Sequence, residues 1–191
     1  MLAYAFWHWR RPGVGRDSYE DLQRAFHTAL AQSPPPGFIA SRCSAIRDAP
    51  WAAEGGEAYE DWYLVTGSAA LDPLNDAAVT ASRRAAHDAA AAAAKGGTAG
   101  LYRLRRGAPV GTPGVGAWFD KPAGMSYAAL YDALDHLVRS GSAALWGRQM
   151  VLGPTPEFCL HSERPIPLPD FPAARSVLLR PVWPESLGGA A

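Results

Sequence analysis

The chain of 191 residues has only two cysteines, Cys43 and Cys159, far apart and with no CxxC pair. That excludes a disulfide framework and gives no zinc-ligand spacing, so the sequence assigns no metal. In apolar, strand-like surroundings a reduced cysteine acts as a small hydrophobe. Net charge is also lacking, since 18 Lys and Arg balance 18 Asp and Glu. Nucleic-acid binding needs a basic excess or stripe. The one local candidate, Arg103, Arg105 and Arg106, reads as a solvated strand edge. No run approaches the roughly 18 apolar residues of a membrane span. The Gly-rich stretch 111–116 lacks the Lys-Ser/Thr and following helix of a phosphate loop. At the N-terminus, Arg10 and Arg11 follow the apolar run 1–9, the reverse of a secretory signal. The expectation is a cytoplasmic protein with no nucleic-acid or membrane partner, as a monomer or homodimer.

What is present is an ordinary apolar fraction, 48%, with seven tryptophans. Residues 2–10 are short, aromatic and followed by Arg-Pro-Gly, which predicts a strand. Ser18 and Asp21 resemble a capping box, and Tyr19, Leu22, Phe26, Ala29 and Leu30 recur at helical spacing. Strands are expected over 38–46 and 59–66. A helical Ala-rich region follows over 68–95, divided at Pro73 and stopped by Gly96-Gly97. A strand at 99–105 completes the order βαββαβ. Residues 107–116 read as a linker. The order then restarts with a strand at 117–121, a helix capped by Ser126, and strands at 144–152 and 157–162. A four-proline segment, 163–172, is expected to be irregular. A last strand covers 175–182.

The two stretches share detail. Ser18-Tyr19, Leu22 and Ala25 match Ser126-Tyr127, Leu130 and Ala133, 108 residues further on, and Pro12 aligns with a proline, Pro122. Duplication explains a shared cap, a shared proline and a shared element order. The expected organisation is a first ferredoxin-like repeat (1–106), a linker (107–116), and a second repeat (117–191) without a regular second helix. Two consecutive βαββ(α)β units resemble the dimeric α+β barrel superfamily in tandem-duplicated, single-chain form. The resemblance implies an α+β fold whose antiparallel sheets join face to face into one intramolecular barrel. It also implies pockets between each sheet and its helices. The superfamily includes cofactor-free and haem-degrading monooxygenases, ring-lactone isomerases and haem-binding peroxidases. Its haem-degrading members use a second-helix histidine as axial ligand, a tryptophan near the third strand and an asparagine on the first. His87 and Trp62 match the first two, but the only asparagine, Asn75, lies in the second helical region.

Histidines are the natural acid–base candidates. Strand alternation puts His8 on the face of Tyr4 and Phe6, opposite Trp7 and Trp9. There it is either a core histidine or a general base. His87 lies on the second helical region, as a partly exposed residue or a cofactor ligand. His27 and His136 read as solvated. His161 shares a strand face with Glu157, Cys159 and Glu163, and without a second histidine this stripe reads as a polar face. Arg42 and Asp61 fall mid-strand among apolar neighbours, where they would form a partly buried ion pair. The tryptophans serve the core or line a pocket for a flat ligand. The expected function is a small-molecule enzyme or binding protein of the α+β barrel type. Its reading is a cofactor-free monooxygenase or isomerase acting on a flat apolar or aromatic substrate. His8, Arg42 and Trp62 carry the chemistry, and the cofactor is left open. The alternatives are haem binding through His87 and a non-catalytic assembly barrel.

Overall fold

A computed structural model describes residues 1–52, 56–139 and 141–184. The elements run β1 (Leu2–Arg10), α1 (Arg16–Gln32), β2 (Phe38–Ile46), β3 (Ala58–Val65), α2 (Leu71–Ala78), α3 (Arg84–Ala93) and β4 (Ala94–Gly107). They continue with β5 (Val115–Phe119), α4 (Tyr127–Val138), β6 (Ala143–Arg148), β7 (Phe158–Ser162), β8 (Arg175–Leu178) and β9 (Arg180–Trp183). All strands belong to one sheet in the order β8-β5-β7-β6-β4-β1-β3-β2-β9, and each pairing is antiparallel. The first four strands are ordered fourth, first, third, second, and so are β5 to β8. This is the ferredoxin-like arrangement twice, joined edge to edge through β4 and β6.

The sheet curls into a nearly closed barrel. Trp7 of β1 meets Trp118 of β5 at 5.7 Å between ring centroids, although three strands separate them in the sheet order. Trp62 of β3 likewise meets Trp146 of β6 at 5.3 Å. The two sheet edges are β8 and β9, with only Leu179 between them in the chain. Leu179 is buried in the barrel core and donates its N–H to Gly114 O. Glu20 of α1 then holds Arg180 of β9, fastening the last strand beside β2.

Side-chain alternation assigns the layers. Ala3, Ala5 and Trp7 of β1 face the barrel interior with Trp62, Trp118 and Trp146. The other parity faces the helices. Leu2, Tyr63 and Val65 pack against Phe26 and Leu30 of α1 and against α2 and α3. In the second half, Phe119, Leu145 and Leu160 pack on Leu130 and Leu134 of α4. Residues 163–172 form no helix, as four prolines dictate. Ile166, Leu168 and Phe171 nevertheless cover the outer sheet face beside α4. An open groove of about 420 Å³ runs along this segment, lined by Ile166, Leu168, Asp170, Arg175 and Ser176 among others.

Several local expectations are corrected. Gly15, not Ser18, is the N-cap of α1, so Ser18 lies inside the first turn, whereas Ser126 does cap α4 by accepting the Ala129 N–H. Tyr19 is therefore the fourth residue of its helix and buried, while Tyr127 is the first of its own and half exposed. The helical region breaks at Val79-Thr80 and not at Pro73, which sits in the first turn of α2, where a missing N–H costs nothing. Gly96 and Gly97 do not stop a helix. They lie within β4, where a Cβ at Gly97 would come within 2.5 Å of the Phe6 ring and 2.7 Å of Trp7 O. The last predicted strand is two strands on opposite sheet edges.

Gly37 is required by the turn after α1. Its φ is +77°, and an added Cβ would lie 2.5 Å from Ala70 Cβ. Gly37→Ala should cost about 1–3 kcal/mol in urea unfolding, since strain and overlap add. A variant as stable as the wild type would show that the loop relaxes freely.

Candidate functional site

Two buried polar clusters lie on opposite faces of the first half's sheet. The outer one is built where α1 crosses β1, β3 and β2. The buried stripe of α1 runs through Tyr19, Gln23, Phe26, His27 and Leu30. This stripe turns His27 inward, so the expectation that it is solvated is overturned. His27 is fully buried, with Nδ1 2.8 Å from Ser41 Oγ. His8, on the helix-facing parity of β1, is also buried, and its Nδ1 is 2.6 Å from the Tyr19 hydroxyl. Both imidazoles aim at one carboxylate oxygen. His8 Nε2 is 3.3 Å and His27 Nε2 3.4 Å from Asp61 Oδ1. The Tyr63 hydroxyl donates to Asp61 Oδ2 at 2.8 Å. Burial alone would raise the Asp61 carboxyl, but the two imidazoles together outweigh it and hold the group well below the ordinary carboxylate range. Tyr63 and Cys43 are pushed up, first by burial and then by the Asp61 charge.

The inner cluster lies inside the barrel. Glu60, one residue from Asp61, points the other way and accepts the indole N–H of Trp7 and of Trp62, each at 2.7 Å. His161 Nε2 lies 3.7 Å from Glu60 Oε1, and its ring packs edge-on against Trp62 at 4.4 Å. Burial favours neutral His161, lowering its pKa against the opposing pull of Glu60. Arg42 is buried on the same face, opposite Trp62 in the strand register, and burial lowers its pKa to about 10. Several buried polar atoms here have no hydrogen-bond partner among the described residues. They are one Arg42 guanidinium nitrogen, both nitrogens of His161 and the indole N–H groups of Trp51, Trp118 and Trp146. Native interiors leave few such atoms, so a concentration of them marks a place where a ligand or ordered water belongs.

No protein-family model matches the sequence, and no curated protein matches it. Among the solved structures to which the chain is similar are two of low identity. One is an anthrone oxidase-like protein, with TM-score 0.45 and 9% identity over 100% of this chain and 96% of that one. The other is a chlorite dismutase variant from Candidatus Nitrospira defluvii, with TM-score 0.40 and 8% identity over 85% of this chain and 77% of that one. Among the described residues, no helix is long and apolar enough to cross a membrane.

The structure brings some predicted residues together and separates others. Arg42 and Trp62 are cross-strand neighbours on the inner face. His8 is on the outer face, so the sheet divides it from them. The expected Arg42–Asp61 ion pair does not form. The register sets Cys43 against Asp61 and Arg42 against Trp62, which sends the two charges to opposite faces. Asp61 takes His8 and His27 instead. His87 stands on α3 with its side chain a third exposed, edge-on to Phe26. It is on the helix side of the sheet, and Trp62 is on the barrel side. His136 is exposed, as expected. None of these residues lines the groove along 163–172. Sequence reasoning missed Glu60 and passed over His161, although the Tyr59-Glu60-Asp61-Trp62 run puts two acids on adjacent positions of one strand. In a strand buried on both faces, that pattern places one carboxylate on each side.

Proposed function

We propose that the protein is a small-molecule enzyme of the α+β barrel type whose barrel interior holds a flat aromatic molecule bearing acceptor oxygens, such as a phenol, a quinone or an aromatic carboxylate. The unpartnered donors inside the barrel carry this reading: three indole N–H groups and the Arg42 guanidinium need acceptors, and their aromatic walls suit a planar ring. Arg42 and Trp62 keep the orienting roles expected of them. The base is His161 and not His8, because His161 shares the inner face and is held neutral by burial. The chemistry open to these groups is proton transfer. An isomerase needs nothing more, and a cofactor-free monooxygenase needs it to raise an electron-rich substrate anion.

A titration of intrinsic tryptophan fluorescence with hydroxynaphthoate and with naphthoquinone tests this. Saturable 1:1 quenching is expected. Arg42→Met should weaken hydroxynaphthoate binding by about ten- to a hundredfold, the range of a hydrogen bond to a charged group. Absence of saturable binding, or equal binding by the Arg42→Met protein, would remove the basis for a ligand inside the barrel.

A further inference from the structure

The outer cluster is on the other side of the sheet from this ligand, and its geometry points to a different occupant. Three buried polar atoms there, His8 Nε2, His27 Nε2 and Asp61 Oδ1, converge without a hydrogen bond among the described residues. Their separations of 3.3 and 3.4 Å are long for N–H···O bonds, which centre near 2.9 Å. An imidazole free to settle on a buried carboxylate would close that gap. The His8–Asp61 separation instead matches the edge of a tetrahedron around a metal ion, where bonds of about 2.0–2.1 Å set neighbouring ligand atoms roughly 3.3–3.4 Å apart. A sulfur completes the set, since ligand atoms of His8, Cys43 and Asp61 all lie within 4.8 Å of one another.

The surroundings are those of a metal centre. A ligating histidine normally uses its second nitrogen to bond a neighbour, which fixes tautomer and ring angle. His8 Nδ1 does this with Tyr19, and the neighbouring His27 is itself held through Nδ1 by Ser41. The free oxygen of Asp61 is held by Tyr63. His8, His27 and Asp61 thus each have an outer atom tied and an inner atom aimed into the cluster. His8, His27, Cys43 and Asp61 are all almost fully buried, so the centre is closed to solvent.

We propose that His8 Nε2, Asp61 Oδ1 and Cys43 Sγ bind one divalent transition-metal ion of the zinc type beneath α1, with His27 bracing the shared carboxylate oxygen. The mixed N, O and S donors favour zinc, or cobalt in its place, over magnesium or calcium, which prefer all-oxygen sites. The ion joins β1, β2 and β3 directly and α1 through His27. It therefore fastens the helix layer onto the sheet.

Cobalt(II) is the probe. The protein is stripped with a chelator in denaturant and refolded with Co²⁺. The expected spectrum has a thiolate-to-cobalt charge-transfer band in the near ultraviolet and visible bands of an ion held by three protein ligands. Both should saturate at one ion per chain and be displaced by Zn²⁺. Cys43→Ser should lose the charge-transfer band and keep weaker visible bands. His27→Gln should weaken binding by about 10–100-fold, as removal of an outer-shell partner does. Zn²⁺ should raise the melting temperature of the wild type and much less that of Cys43→Ser, an arm that holds even if Asp61 variants do not fold. A folded protein without a saturable cobalt spectrum, or one whose charge-transfer band survives Cys43→Ser, would overturn the proposal. Neither result bears on hydroxynaphthoate binding inside the barrel.

Discussion

Asp61→Ala should cost about 3–5 kcal/mol of stability at pH 7, the range for removing one partner of a buried charge network. Asp61 is almost fully buried, and it faces His8, His27 and the Tyr63 hydroxyl. Truncation leaves two imidazoles and a phenol without their shared acceptor. Asp61→Asn should cost less, because an amide oxygen can still accept from Tyr63 while the charge is gone. The pH dependence follows from the direction of the Asp61 shift. Its folded pKa lies well below the ordinary carboxylate range, so the unfolded chain takes up a proton first as the solution is acidified. The stabilisation is therefore complete above about pH 4, near the unfolded value, and is lost as the pH falls toward the folded one. Urea unfolding of metal-free wild type and Asp61→Asn at pH 7, 5 and 3 should show a gap that narrows on the acid side. A gap that stays constant or widens at pH 3 would mean that the Asp61 charge contributes nothing to the fold.

That Asp61 belongs with two histidines could not be read from the sequence, and the reason is register. Side chains in a strand alternate with period two, so a slip of one residue moves each group to the other face. Arg42 and Asp61 both look like mid-strand charges in search of a partner. Only the observed pairing of Cys43 with Asp61 shows that they point apart. His27 was misplaced for a related reason. The helical period alone allows a stripe through Leu22 and Ala29 or one through Gln23 and His27. Tertiary contact selects the second, because the Asp61 carboxylate beneath α1 gives the polar side chains a partner. His8 was legible, since a nine-residue strand leaves no freedom in its parity.

The fold was read further than the site. Strand order within each half follows from the element order βαββ, and the limits of β2 were read to the residue because Pro-Gly before it and Arg-Asp after it interrupt the apolar run. Boundaries failed where propensity and packing disagree. Gly96 and Gly97 have the local signature of a helix end, yet the ring of Phe6 needs a position without a side chain, and the strand runs through them. The division of 175–182 into two strands has no local signal at all. A single residue, Leu179, carries the chain from one sheet edge to the other, and only the closing barrel makes that necessary.

Glu60→Ala should be as damaging as the loss of Asp61, about 3–5 kcal/mol, through a different cause. The Glu60 carboxylate accepts two indole N–H groups, from Trp7 and Trp62, at the centre of the barrel. Its removal leaves both donors unpaired, each costing about 1–3 kcal/mol, and opens a void between rings packed at 5–6 Å, adding a cavity cost. Glu60→Gln separates the two contributions. It fills the same volume, but one of its two terminal groups is an amide NH₂, so one indole N–H must face a donor. That variant should lose about 1–3 kcal/mol. It also removes the negative charge beside His161. Burial already lowers the His161 pKa and Glu60 opposes it, so Glu60→Gln should lower it further. Unfolding in urea gives the first quantity, and the imidazole proton shifts in an NMR titration give the second. A Glu60→Ala protein within 1 kcal/mol of wild type, on the order of a single neutral hydrogen bond, would show that water enters the barrel freely. An unmoved His161 would show that the two groups do not sense each other. If both effects appear, the Glu60 carboxylate is committed to Trp7 and Trp62. The donors of Trp51, Trp118, Trp146 and Arg42 then have no acceptor among the described residues, the demand that the proposed ligand would meet.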